Sequence, residues 1–232
     1  MGKGWKSPIK TANAQKKGAI FTKLAREIQV AAKMGGPDPA MNARLRLAIE
    51  VAKKQQCPND TIDRAIKKGS GTLDDGSVIE ELMYEGYGPH GIGVLVEAQT
   101  DNRNRTAPEL RTIFKSHEGN MEGSVAWMFD RVSMFEGTKP GSFDPEEEAI
   151  EAGANEVEKH DEAYTFYGDL SAMEDIRKAL MGRGWTITTA ESSYKPKNIT
   201  ELSEAQMKDV VEFLNELDDH DDTHKVYATI KS

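Results

Sequence analysis

Cysteine is almost missing. Cys57 is the single one in 232 residues, so no intrachain disulfide forms, and the Cys/His spacings of zinc sites do not occur. Long apolar runs are missing too. None approaches the roughly 18 residues needed to cross a bilayer, and the N-terminal lysines lead into no apolar stretch of the kind a secretory signal requires. A cytoplasmic protein without a membrane partner is expected. No GxxxxGK[ST] phosphate loop occurs. The histidines His90, His117, His160, His220 and His224 are mostly scattered. His220 and His224 flank Asp221 and Asp222, but no further ligand pattern surrounds them, which favours a solvated acidic turn over a metal site. Neither a metal nor a cofactor is expected.

What is present is charge, unevenly placed. The net charge is −9, and 30% of residues are charged. Residues 1–70 hold 15 Lys and Arg against five acids, a net of +10; the remainder carries −19. Such asymmetry lets a nucleic-acid-binding end hide inside an acidic chain.

Residues 1–17 carry Lys3, Lys6, Lys10, Lys16 and Lys17 and no acid. With Gly2, Gly4, Ser7 and Pro8 disfavouring helix, they read as a flexible basic arm. Trp5 can stack on a base or anchor the arm on the protein's own surface. Residues 18–77 read as a helical domain closed by a Gly/Ser/Asp linker. Phe21, Leu24, Ile28 and Ala31 recur at helical spacing, and Gly35-Gly36-Pro37 ends that helix. A second helix is expected to open at Asp38-Pro39, with Met41, Leu45, Ile49 and Ala52 as its stripe. A third carries Ile62, Ala65 and Ile66 and ends at Gly69. Lys23, Arg44 and Arg46 are candidate phosphate contacts; the two arginines, two apart, cannot share one face, and part of their role is expected to be structural.

Gly86-x-Gly88-x-x-Gly91 has dinucleotide-fingerprint spacing. That fingerprint needs a helix after its third glycine. Here Ile92, Val94, Leu95 and Val96 follow, a strand pattern, so a hairpin is expected. Next, Asp101, Asn102, Arg103, Asn104 and Arg105 read as a loop, with Thr106 and Glu109 as the capping box of a following helix. Guanidinium and amide groups together suit phosphate or base edges; equally, Arg103 or Arg105 can pair internally with this half's many acids. Gly123–Phe129 reads as a third strand. Residues 131–196 then follow a βαββαβ order, ferredoxin-like. Residues 78–130 lack a helix and a strand, which 197–232 can supply. The expected fold is α+β: an N-terminal three-helix domain, then two ferredoxin-like-type α+β domains, the middle one (78–130 plus 197–232) discontinuous around the inserted 131–196.

Several stretches together, "GAIFTKLAREI", "GPDPAMNARLRLAIEVAK", "PNDTIDRAIKKG", "YEGYGPHGIGVLVE", "TDNRNRT", "GSVAWMF" and "LDDHDDTHKVYATI", resemble the YebC/PmpR family, which includes the mitochondrial translational activator of cytochrome c oxidase. The resemblance covers nearly the whole chain. It implies a helical domain and two α+β domains, and a non-catalytic role, chiefly as cytoplasmic DNA-binding transcriptional regulators, in other members as translation factors on the ribosome. Departures are Lys3-Gly4 before Trp5 in place of the usual Gly-His-Ser-Lys, a shorter loop before Gly123, and His224 where glutamine is common.

The expected function is therefore a non-enzymatic, nucleic-acid-binding regulator of gene expression, DNA-directed in the leading reading and directed to the ribosome and its RNA in the rival one. A monomer is expected. Glu97, Asp101 and His117 can be imagined in a catalytic cleft, but no nucleophile–base pattern accompanies them.

Overall fold

The structure, a computed structural model, describes residues 14–73, 76 and 78–231, with side chains from residue 18 onward. It opens with three helices, α1 (Ala14–Gly35), α2 (Ala43–Lys54) and α3 (Asn59–Gly69). They close on Ile28, Ala31, Leu45, Ala48, Ala52, Ile62 and Ala65, with Phe21 and Leu24 partly buried against this core. Two local expectations shift. Helix α1 starts at Ala14, inside the stretch read as an arm through residue 17. Ala14, Gln15, Lys16 and Lys17 are good helix formers, and the helix-disfavouring glycines and Pro8 all precede them. Helix α2 starts at Ala43 with Asn42, not Asp38, as its N-cap. Asp38 instead closes a turn, its carboxylate accepting from the Ala40 N–H at 2.9 Å. Buried Asn42 accepts from the Leu45 N–H at 3.0 Å and donates to the carbonyls of Ala31 at 2.7 Å and Gly36 at 2.9 Å. One side chain thus ends α1 and starts α2. A Cβ at Gly35 would sit 2.6 Å from it, which is why that position is glycine.

Strands β1 (Glu80–Tyr87) and β2 (Gly93–Thr100) form an antiparallel hairpin around a short 3-10 turn, Pro89–Gly91. The fingerprint glycines serve packing. A Cβ at Gly88 would lie 2.5 Å from the Phe213 ring, one at Gly86 would meet the Asn120 carbonyl, and Gly91 has φ +78°. Helix α4 (Arg103–Ser116) follows β2. From the C-terminal end, helix α7 (Glu204–Asp219) packs against α4, and β7 (Thr223–Ala228) completes the sheet in the order β1-β2-β7. The Phe114 and Phe213 rings meet edge-on at 5.0 Å between these helices. The strand expected at 123–129 does not form. Residues 126–128 make a 3-10 turn, and β1 gains only a single bridge between Tyr87 and Asn120. The Glu85 carboxylate takes the Ser124 hydroxyl and the Val125 and Ala126 N–H groups at 2.7–2.9 Å, so a side chain occupies amides that a strand would pair. Burial alone would raise the Glu85 pKa, but these donors hold it below the ordinary value.

The remaining elements are β3 (Phe129–Thr138), α5 (Pro145–Ala152), β4 (Glu156–His160), β5 (Ala163–Gly168), α6 (Met173–Gly182) and β6 (Thr186–Pro196). The sheet order is β4-β5-β3-β6, every neighbour antiparallel, the ferredoxin-like arrangement. Phe135, Phe166, Ile176, Leu180 and Trp185 form its core. Buried Glu148 accepts from the Trp185 indole N–H at 2.8 Å and from Arg183 at 3.0 Å, and pairs with Lys139 at 2.9 Å. Its pKa falls to about 2, the Arg183 hydrogen bond being the largest cause.

The fold is thus α+β, a helical region followed by sheet domains. The chain divides into two compact units. One holds Trp127–Thr200 with the residues from Thr229 onward; the other holds the described residues up to Ala126 with Glu201–Ala228, so the three helices group with the three-stranded sheet.

Candidate nucleic-acid interface

Within this larger unit, the basic residues of the helical segment divide into two sets. One set points at carboxylates and carbonyls of α1 and of the three-stranded sheet region. Arg44 donates to Glu27 at 2.8 and 2.9 Å and to Glu81 at 2.7 Å. Gln99 of β2 donates to the same Glu27 carboxylate at 2.6 Å, and His224 lies 3.4 Å from it. Burial alone would raise the Glu27 pKa; Arg44, His224 and Gln99 outweigh it and lower the value. Lys23 donates to the Asp218 carbonyl.

Arg26 of α1 meets Asp222 at 2.8 Å. Asp222 is the centre of the most extensive polar network of the unit. Only 2% exposed, it accepts from Arg105 at 2.9 Å, Thr106 at 2.6 Å and Thr100 at 3.1 Å, besides Arg26. Desolvation pushes its pKa up, yet these donors together lower it. The Asp222 hydrogen bond is the largest cause raising the pKa of Arg105. A polar cleft of about 590 Å³ opens over the network, lined by Arg26, Arg105, Glu109, Thr112, His220 and Asp222. The acidic turn is therefore not a solvated one at Asp222. Its histidines also have partners, His220 with Glu109 at 3.1 Å and His224 with Glu27. Among the described residues no group of three His, Cys, Asp or Glu is placed to hold a metal ion.

Helix α4 begins at Arg103 with Asn102 as its N-cap, accepting from the Asn104 and Arg105 N–H groups. Thr106 is not a cap but a buried residue of the second turn, its hydroxyl on Asp222. The basic pair is thereby split. Arg105 turns to the cleft, whereas exposed Arg103 sits beside Tyr84. Of the two alternatives open for this pair, ligand contact or internal pairing, Arg105 takes the internal one, on Asp222 at 2.9 Å.

The second set of basic residues stays at the surface. Arg46, Lys53, Lys54, Arg64 and Lys67 are exposed on α2 and α3, and among the described residues none forms an ion pair. Arg46 makes one hydrogen bond, to the Pro39 carbonyl. Lys3, Trp5, Lys6 and Lys10, and the side chains of Lys16 and Lys17, lie outside the described residues. Reading the sequence missed Asp222, Arg26 and Glu27 as organisers. Their partners lie on other elements, 17 and 72 residues away for Glu27 with Arg44 and Gln99 and 116 for Asp222 with Thr106, and no local periodicity marks them.

Helices carrying exposed cations, joined by ion pairs to a small sheet, with a ferredoxin-like unit between that sheet's strands in the chain, define an α+β protein with cations along its N-terminal helices. The chain belongs to the TACO1/YebC family: residues 5–72 match the TACO1/YebC protein N-terminal domain, and residues 79–230 the TACO1/YebC second and third domain. It is 67% identical to a probable transcriptional regulatory protein of Bdellovibrio bacteriovorus, covering 99% of this chain and 100% of that one. A probable transcriptional regulatory protein of Pseudomonas fluorescens is 44% identical over 98% of both chains. The crystal structure of a conserved hypothetical protein from Aquifex aeolicus superposes with a TM-score of 0.82 at 38% identity, covering 97% of this chain and 96% of that one. The Bdellovibrio and Pseudomonas relatives carry the names of regulatory proteins rather than enzymes. Among the described residues no helix is long and apolar enough to cross a membrane.

Proposed function

We propose that this protein is a non-enzymatic regulator of gene expression that binds nucleic acid through phosphate contacts from its basic N-terminal third. The observation that carries this reading is the second set of cations: Arg46, Lys53, Lys54, Arg64 and Lys67 stand exposed without acid partners among the described residues, in a chain whose net charge is −9. The arm lysines add to the same charge. Transcriptional regulation is the role that the names of the relatives support, and duplex DNA is the ligand this reading assigns to it. The ribosome-directed reading draws on a different feature. The exposed positions of α3 mix Asp60 and Asp63 with Arg64 and Lys67, and no row of amide side chains is available to read base edges in a major groove. Backbone contacts of this kind carry no sequence information, so they suit ribosomal RNA as well as duplex DNA.

The test is a titration at several salt concentrations, with labelled duplex DNA and with a ribosomal RNA fragment. Replacing Lys3, Lys6, Lys10, Lys16 and Lys17 by glutamine should flatten the slope of log affinity against log salt by up to about 4.5 for duplex DNA, or about 3.5 for single strands. Trp5→Ala should cost about 1–3 kcal/mol of binding if it stacks on a base, with the slope unchanged. Absence of salt-dependent binding to either ligand would refute the function.

A further inference from the structure

Helix α4 has two unlike flanks. At 100° per residue, Arg105, Glu109 and Thr112 share the flank over the Asp222 cleft, where Glu109 meets His220 and Arg105 meets Asp222. Leu110, Ile113 and Phe114 are buried. The opposite flank carries Asn104, Pro108, Arg111 and Lys115, spaced four, three and four, with Arg103 at its N-terminal edge. All five are exposed. No carboxylate lies on this flank. The acids nearest to it in the chain are Asp101, which bonds Arg105 at 3.1 Å, Glu109, which faces the cleft and meets His220, and Glu118, beyond the helix end. Arg103, Arg111 and Lys115 form no ion pair among the described residues. They belong to the part of the chain, residues 71–232, that carries a net −19, so an acid-free basic stripe there stands out against its surroundings.

From this placement we infer that the outer flank of α4 is a second phosphate-binding face, separate from the basic helices and arm, and that its partner is a nucleic-acid backbone. The inference rests on the proposed nucleic-acid binding and adds where a second stretch of the same ligand runs. The chemistry is specific to that partner in three ways. Two guanidinium groups and one ammonium offer bidentate and point-charge contacts to phosphate oxygens. The Asn104 amide adds a neutral hydrogen-bonding group at the stripe's N-terminal end. The stripe from Asn104 to Lys115 is about 16 Å long at 1.5 Å per residue, enough to follow several successive phosphates instead of one anion. An acidic peptide would also be drawn to the charge, but all five side chains of the flank are exposed and four of them are polar, which favours a partner recognised by its charge alone. A regular backbone of like charges is such a partner. The structure also explains why the stripe can serve this end without loss of the fold. Arg105, not Arg103, holds the Asp222 network, so the outer cations are spare.

The experiment uses the full chain and the triple variant Arg103→Gln/Arg111→Gln/Lys115→Gln. Binding to labelled duplex DNA and to a single-stranded ribosomal RNA segment is followed by fluorescence anisotropy from 50 to 300 mM KCl. If all three cations meet phosphates, the slope of log affinity against log salt falls by up to about 2.7 on duplex DNA and about 2.1 on single strands. The melting temperature should stay that of the wild type. The charge-preserving variant Arg111→Lys/Lys115→Arg should keep the wild-type slope, which a merely disturbed helix would not. A second triple variant, Lys53→Gln/Lys54→Gln/Arg64→Gln, separates the two levels. If it lowers the slope while the α4 variant leaves it unchanged, the α4 face is refuted and nucleic-acid binding by the basic helices stands. If the wild type binds neither ligand, both fall. If a labelled acidic peptide binds the wild type and the α4 triple variant loses that binding while nucleic-acid binding is unchanged, the partner class is overturned.

Discussion

Replacing Asp222 by asparagine removes a charge and little volume from the junction of the helical segment with the three-stranded sheet. The carboxylate is buried and accepts from two guanidinium groups and two threonine hydroxyls. Breaking a buried ion pair by neutralising one partner costs about 3–5 kcal/mol, because the other charge stays behind uncompensated. The Arg105 side chain is 42% exposed, so water screens its share; Arg26, at 16%, and the two hydroxyls are not so relieved. The lower end, about 3 kcal/mol, is therefore expected. At about 2–4 °C per kcal/mol for a unit of this size, the transition of the larger unit should fall by about 6–12 °C. The pH dependence has a definite sign. The folded pKa of Asp222 lies below its ordinary 3.8, so the stabilisation is fully present above that value and is lost only as pH falls through the lowered folded pKa. The gap between wild type and variant should be flat from pH 8 to 5 and narrow below about pH 4. Differential scanning calorimetry across that range reads both quantities. A loss under about 1 kcal/mol, or a gap that widens in acid, would refute the account of Asp222 as the organiser of this junction.

Asn42→Ala should be similarly costly from a single neutral side chain. It removes the cap of α2, about 1 kcal/mol, and strands the Ala31 and Gly36 carbonyls, about 1–3 kcal/mol more, which a urea titration will show as a lowered midpoint without a changed slope. In the ferredoxin-like unit, Glu148 has its pKa lowered from 4.5 to about 2, so its contribution holds above about pH 4.5 and disappears as pH falls towards 2. Glu148→Gln should lower this unit's thermal transition at neutral pH and make it less acid-sensitive than in the wild type, as followed by tryptophan fluorescence of Trp185.

Some of this protein was legible from neighbours along the chain alone. The Phe21, Leu24, Ile28 stripe and the apolar spacing of α2 and α3 determined a helical bundle, since a 3.6-residue period needs no distant partner to be seen. Ile92 to Val96 after Gly91 settled the hairpin against a nucleotide fingerprint on local grounds. The +10 and −19 halves were equally plain. What the chain order hides is which polar groups meet. Gly123–Phe129 has strand composition, but a strand exists only when another edge pairs with it, and Glu85 reached those amides first. Thr106 and Glu109 have the spacing of a capping box, yet Asn102 holds that place and Thr106 is drawn into the interior by Asp222. Arg103 and Arg105 differ by two positions, which on a helix is about 200°, and that turn alone sends one to a buried carboxylate and the other to solvent. Charge and periodicity are properties of residues in order, so the sequence carries them by itself. Pairing is decided by distances between residues on different elements, from 40 positions apart for Glu85 and Val125 to 116 for Thr106 and Asp222, and only tertiary structure sets those.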